Sequence, residues 1–319
     1  MRFLKTCKTV STLFLAVTIL GSICAAETVV ANVPQLEPNG ITVDPLTRLA
    51  YVAQSGTGSV GVISEATNTQ VDTISVGIDP VGVVVDPIRS RLYVSDIIQN
   101  LVYVIDSRTK QILTTIAVPD NPSQMAINLR LNRIYVAEFG GSLVAVLDGN
   151  TETLIDSIPV ILPQNIAVNP LNDRVYISSN NFFGAVTAVD GRTNGVIATI
   201  RTAGQFTVGV DVDFIRNLVY AADESGTLNV IDGATNTLLS SVQTNTVLVD
   251  SRVNPFTNRV YVNENNTNQV AIFAGRTLQQ IGSLPAGGGP SQSAIDLVNQ
   301  RLFVGNPFSN DVTIINTQP

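Results

Sequence analysis

The sequence predicts an all-β fold, a single-domain seven-bladed β-propeller, and three observations predict it. The first is a repeat of 42 residues, which keeps its phase through one position held by Ser64, Asp106, Asp148, Asp190, Asp232, Ala274 and Asn316. The second is an aromatic residue in every copy, at Tyr51, Tyr93, Tyr135, Tyr176, Tyr220, Tyr261 and Phe303. The third is that each copy reads as four short β-rich runs divided by turn residues. Examples are Val81 to Val85, Arg91 to Ser95, Val102 to Ile105 and Ile112 to Val118. One such unit cannot bury its own faces, so it must pack against neighbouring copies, which is how propeller blades are built.

The elements follow in chain order. Residues 1–26 read as a secretory signal peptide: Arg2, Lys5 and Lys8 precede an apolar run from Val10 to Ile23, which ends in Cys24-Ala25-Ala26. Acylation of Cys24 is the alternative, and Gly21 and Ile23 argue against it. The run is too short for a membrane span, and no later stretch resembles one. Residues 27–319 form the propeller. Its strands are named A to D from the channel outward. The A–B turn carries Asp44-Pro45, Asp86-Pro87, Asn169-Pro170 and Asn254-Pro255, and the C–D turn carries Asp148-Gly149, Asp190-Gly191 and Asp232-Gly233. The last copy stops at Pro319 without a D strand, whereas Glu27 to Val33 is a β-rich run with no A, B or C strand before it. The N-terminal strand is therefore expected to complete blade seven and hide two sheet edges.

The end of strand B reads Tyr51-Val52-Ala53-Gln54, Tyr93-Val94-Ser95-Asp96, Tyr135-Val136-Ala137-Glu138 and Tyr261-Val262-Asn263-Glu264. These motifs resemble the YVTN-type β-propeller repeat family, and the resemblance covers essentially the whole chain after the leader. It implies the fold and an exported, surface-layer-like protein; it implies no reaction.

Composition excludes much chemistry. Both cysteines, Cys7 and Cys24, lie in the leader, and the chain has no histidine and no tryptophan. Ser-His-Asp and Cys-His pairs, common zinc or copper sites and histidine-ligated haem are thereby removed. After the leader, 15 basic side chains face 25 acidic ones, a net charge of −10. That sign repels phosphate backbones, so no nucleic-acid partner is expected.

Positions that keep the period are assigned to stability. They include Arg48, Arg91, Arg133, Arg174, Arg216, Arg259 and Arg301, expected to pair with the Asx of the adjacent A–B turn, and the C–D aspartates. Positions that break it are candidates for function. The A–B and C–D turns never change length, whereas the B–C and D–A loops do so four times, all around blades four and five. There the B–C loop places Phe182 and Phe183 in a polar turn, and the D–A segment ends in Phe206, which suggests an exposed apolar platform. Along strand A, Gln124, Asn165, Asp250 and Gln292 stand at the channel mouth as candidate ligand contacts. Asp211 and Arg252 break an otherwise small or apolar ring and are expected to form a salt bridge between blades five and six. Asp211, Asp223, Asp250 and Arg252 are the candidate catalytic groups, with Glu224 among the clustered acids. The fourth motif position adds Glu138, Asp223 and Glu264, a set of hard oxygens suited to calcium, although no cofactor is required.

The expected function is a secreted or surface-exposed, non-catalytic binding or scaffold module, acting through the B–C/D–A face. Its partner would be a cell-envelope or extracellular protein, or a small molecule at the channel mouth. The alternative is an enzyme of lyase, isomerase or lactone-hydrolase type, with a carboxylate-lined site at that mouth. A redox role with a bound quinone is a third reading.

Overall fold

The computed structural model describes residues 27–318, so the expected signal peptide lies outside the described residues. Twenty-eight strands form seven antiparallel four-stranded sheets, each in sequential order A-B-C-D apart from the last. In blade seven the N-terminal strand Thr28–Pro34 pairs with Asp311–Asn316 and supplies the missing D strand. Strand boundaries fall within a residue or two of those read from the sequence, as at Pro80–Asp86, Arg91–Asp96, Leu101–Asp106 and Ile112–Ala117. Among the described residues no helix is long and apolar enough to cross a membrane.

Strands B and C are nearly continuous apolar runs, as in Arg91–Asp96 and Leu101–Asp106, because successive side chains point to opposite sheet faces and both faces are covered by neighbouring blades. The core is consequently a ring of inter-blade clusters. One joins Tyr93, Val102 and Val104 of blade two to Ile134, Val136 and Ala145 of blade three. The repeated aromatic is fully buried in all seven copies.

The turns are built by their Asx side chains. Asp44 Oδ1 accepts the backbone N–H groups of Leu46 and Thr47, and the equivalent residue of every blade accepts the N–H two positions on. Asp106, Asp148, Asp190 and Asp232 do the same in the C–D turns. Glycine after the C–D aspartate has a steric cause: a Cβ at Gly191 would collide with the Asp173 carbonyl and crowd the Tyr135 hydroxyl.

The repeated arginines do not generally pair with the A–B Asx, as expected; only Arg216 does, meeting Asp213 at 2.7 Å. They reach instead to the C–D turn of the next blade. Arg133 donates to the carbonyls of Gly191 and Arg192 and to Asn194, and Arg174 to the Gly233 carbonyl and Asn236. Arg91 reaches Glu152, and Arg259 reaches Glu27 at the start of the closing strand. The tyrosine two residues on adds its hydroxyl to the same target, with Tyr135 Oη donating to the Gly191 carbonyl at 3.1 Å and Tyr261 Oη to Glu27 at 3.2 Å. In blades two, three and four the arginine thus finds its partner some 60 residues ahead, whereas Arg48 meets Glu65 in the C–D turn of its own blade.

The clamp makes a graded prediction. In guanidinium unfolding, Tyr135→Phe is expected to lose about 1 kcal/mol, the net value of one buried hydrogen bond. Tyr93→Phe should be close to neutral, because the Tyr93 hydroxyl has no partner. Equal effects for the two would show that the hydroxyl contact carries no weight.

Candidate functional site

Strand A begins with a β-bulge in most blades, as between Pro122 and Met125 and between Pro163 and Ile166. A bulge re-aims side chains, and here it turns one position of each strand toward the axis. In blades one, two and five that position is Gly40, Gly82 or Gly209. A Cβ at any of the three would collide with the backbone of the adjacent A strand. In the other four blades the position is Gln124, Asn165, Asp250 or Gln292, and these side chains bond to one another or to a near neighbour. Asn165 Nδ2 donates across the channel to Asp250 Oδ1 and to Gln292 Oε1, both at 3.2 Å, and Gln124 Nε2 donates to Asn39 Oδ1 at 3.2 Å. They form a polar plug, which separates a mouth cavity of about 670 Å³ on the B–C/D–A face from a smaller space of about 280 Å³ beneath.

Asp250 is fully buried and fully engaged. Its Oδ2 accepts from the backbone N–H and hydroxyl of Ser293, and its Oδ1 lies 3.3 Å from the Arg252 guanidinium. The expected Asp211–Arg252 salt bridge is therefore replaced by Asp250–Arg252. The reason is the two-residue strand period, which puts 250 and 252 on one side of one strand. Asp211 instead accepts the backbone N–H groups of Val212 and Val253, stitching blades five and six; burial pushes its carboxyl up to about 6.

The fourth motif residues do not converge. Asp96 receives the N–H of Asp79, Glu138 that of Asp120 at 2.8 Å, and Asp223 that of Gly204 at 3.0 Å, while Glu264 receives the Thr246 and Thr267 hydroxyls. Each thus pins the D–A loop that enters its own blade. Among the described residues no group of three or more histidine, cysteine, aspartate or glutamate side chains is placed to hold a metal ion. Burial raises Glu138 to about 7 and Asp223 to about 6.

The three phenylalanines do come together. Phe182 and Phe183 are exposed and meet edge to face at 5.7 Å, and Phe206 meets Phe182 at 6.1 Å. The two altered loops fit each other: Phe206 N–H donates to the Asn181 carbonyl and Thr202 N–H to the Gly184 carbonyl. A residue gained in the B–C loop of blade four is thereby matched by one gained in the D–A loop before blade five. Phe206 holds φ at 57°, a left-handed conformation that costs a residue with a Cβ about 1–2 kcal/mol. The same position before strand A is left-handed at Glu37, Asn121 and Leu162 as well, so the conformation belongs to the repeat.

Two members of this cluster were not singled out from sequence. Arg201 places its guanidinium 5.4 Å from the Phe183 ring centroid, and exposed Ile161 completes an apolar cavity of about 450 Å³ beside the rings. Arg201 could have been found by the same subtraction. The equivalent positions are Ser75, Ala117, Pro159, Gln243 and Pro285, so it is the one charge among them. Across the whole B–C/D–A face the accessible acids are Glu37, Asp79, Asp120, Glu224 and Asp311, with Arg201 as the sole base.

Comparison with protein families yields no match, and neither does comparison with curated proteins. Among solved structures the chain is similar to Kuenenia stuttgartiensis hydrazine synthase. The TM-score is 0.78 at 18% identity, covering 89% of this chain and 96% of that one. At that identity the likeness shows the propeller fold alone.

The buried carboxyls fix the sign of a pH dependence. Glu138 stays protonated in the fold up to about 7 but ionises near 4.5 when unfolded, so between those values the native state binds more protons. The stability that this group contributes is then lost as pH rises through about 7. Glu138→Gln is expected to flatten that slope in pH-dependent thermal unfolding; an unchanged slope would remove Glu138 as its source.

Proposed function

We propose that the protein is a secreted, YVTN-type propeller acting as a non-catalytic binding module through its B–C/D–A face. One observation carries this reading most directly: Phe182, Phe183, Phe206 and Arg201 form an exposed cluster, on the one stretch of loop where the repeat changes length and composition together. Aromatic and arginine side chains are the usual anchors of an interface because they bury large area with few rotatable bonds.

The acidic character of this face, with exposed Glu224 on the neighbouring blade-five loop, selects for a partner that brings basic side chains and an apolar group to fill the cavity beside Phe183. An envelope or extracellular protein segment of that chemistry fits the lack of cysteine in residues 27–319 and the signal-like residues 1–26. Against catalysis stands the engagement of Asp223, Asp250 and Glu264 in hydrogen bonds that hold loops and blades. The enzyme reading keeps one observation in its favour, the mouth cavity with Glu224 on its wall and a carboxyl raised by burial.

Capture of an envelope partner by immobilised protein tests the reading. Phe182→Ala with Phe183→Ala is expected to weaken capture at least tenfold, and Phe206→Asn to weaken it while leaving the melting temperature equal or higher. If both variants bind as the wild type does, while Glu224→Gln abolishes turnover or a thermal shift with a small molecule, the binding-module reading fails and the enzyme reading takes its place.

A further inference from the structure

The opposite face, built by the A–B and C–D turns, has a feature that the turns themselves do not require. The residue two positions after the A–B Asx contributes only its backbone N–H to the turn, as Leu46, Ile88, Leu171, Ile215, Phe256 and Val298 each do. Any side chain would serve, and exposed turns ordinarily carry polar ones. Yet all six are large, apolar and between 51% and 73% exposed. In blade three the position is Arg130, whose charge is taken up by Asp173. The residue before each is also apolar: Pro45, Pro87, Leu129, Pro170, Phe214, Pro255 and Leu297.

These tips form a band rather than scattered points, because neighbouring turns touch. Phe214 meets Phe256 edge to face at 6.2 Å, Arg216 donates to the Pro255 carbonyl, and Asn299 to the Pro45 carbonyl. Occupying one repeat position, they stand at one height around the axis. At roughly 100 Å² of exposed apolar surface per tip, the ring offers on the order of 600 Å², close to the ~800 Å² that each partner contributes to a stable interface.

We propose that this ring is a dimer interface, covered by the same ring of a second copy with the two axes aligned face to face. Charge selects that arrangement. Twelve of the fourteen arginines in the described residues lie in or beside the A–B and C–D turns, with Lys110 and twelve carboxylates among them. The face is nearly neutral with signs interspersed, so a second copy meets no net repulsion there, and the half-buried C–D carboxylates Asp106, Asp148, Asp190 and Asp232 stand within reach of its exposed arginines. The B–C/D–A face presents Glu37, Asp79, Asp120, Glu224 and Asp311 against Arg201 alone and repels its own image. Contact through one face only is isologous and closes at two copies. It also leaves both Phe182–Phe183 clusters free on the outer ends.

Sedimentation velocity across a wide concentration range tests this. The wild type is expected to shift from monomer to dimer as concentration rises, and Leu171→Asp with Phe256→Asp to weaken dimerisation at least a hundredfold with unchanged circular dichroism. Since both side chains point outward, neither change removes core. Should the aspartates disturb the turns, hydrogen exchange of the wild type reads the same point: amides of the A–B turns slow with concentration if a second copy covers them. A wild type that stays monomeric throughout, or a dimer that survives both aspartates, overturns the proposal. So does a monomer that co-sediments with phosphatidylglycerol vesicles through this ring, which would make the occupant a lipid surface.

Discussion

The contact on which the rest of this molecule depends is the reach of strand B over the C–D turn of the next blade. A blade is a thin sheet with apolar residues on both sides, unstable alone, and only a closed ring covers all fourteen faces. Tyrosine and arginine from one blade meet backbone carbonyls of the next at Gly191 and Gly233, which fixes both the spacing and the tilt of successive sheets. The final link is made by Glu27, which receives Arg259 and Tyr261 just before its strand enters blade seven. The first residues of the propeller thereby close a ring that the last residues leave one strand short.

That architecture consumes polar groups. The A–B and C–D aspartates hold turns, the strand B carboxylates hold D–A loops, and the channel amides plug the axis. Several carboxyls are pushed toward neutrality by burial rather than by any placement for catalysis; Glu65, beside Asp296 at the junction of blades seven and one, is raised to about 7 in this way. Surface left over for recognition is of two kinds. One is the aromatic cluster over blades four and five, set in acidic loops; the other is the apolar ring on the opposite face, set among mixed charges. The two lie at opposite ends of the axis, so occupation of one does not obstruct the other.

Much of this was legible in the sequence because a repeat reports each structural role seven times. The strands, the invariant turns, the closing N-terminal strand and the clustering of Phe182, Phe183 and Phe206 all follow from period and phase. What was not legible is direction. The pairing of Arg133 with residues 191 to 194 depends on how far one blade leans over the next, which no spacing within a repeat encodes. Glu138, Asp223 and Glu264 share a motif position, yet they turn under their own loops rather than toward the axis, so the expected oxygen ring does not assemble. The Asp250–Arg252 pair was readable from the two-residue strand period, and Arg201 from its column in the repeat. The first was obscured by comparing blades with one another instead of residues along a strand.

If the clamps bind the seven blades into one closed ring, native-state hydrogen exchange should report one unit. Buried amides of strands A to C are expected to exchange through a common global opening, with equal free energies and equal denaturant slopes in all seven blades. Blades that open independently, with blade seven detaching at much lower denaturant than its neighbours, would contradict a ring held shut by its inter-blade contacts.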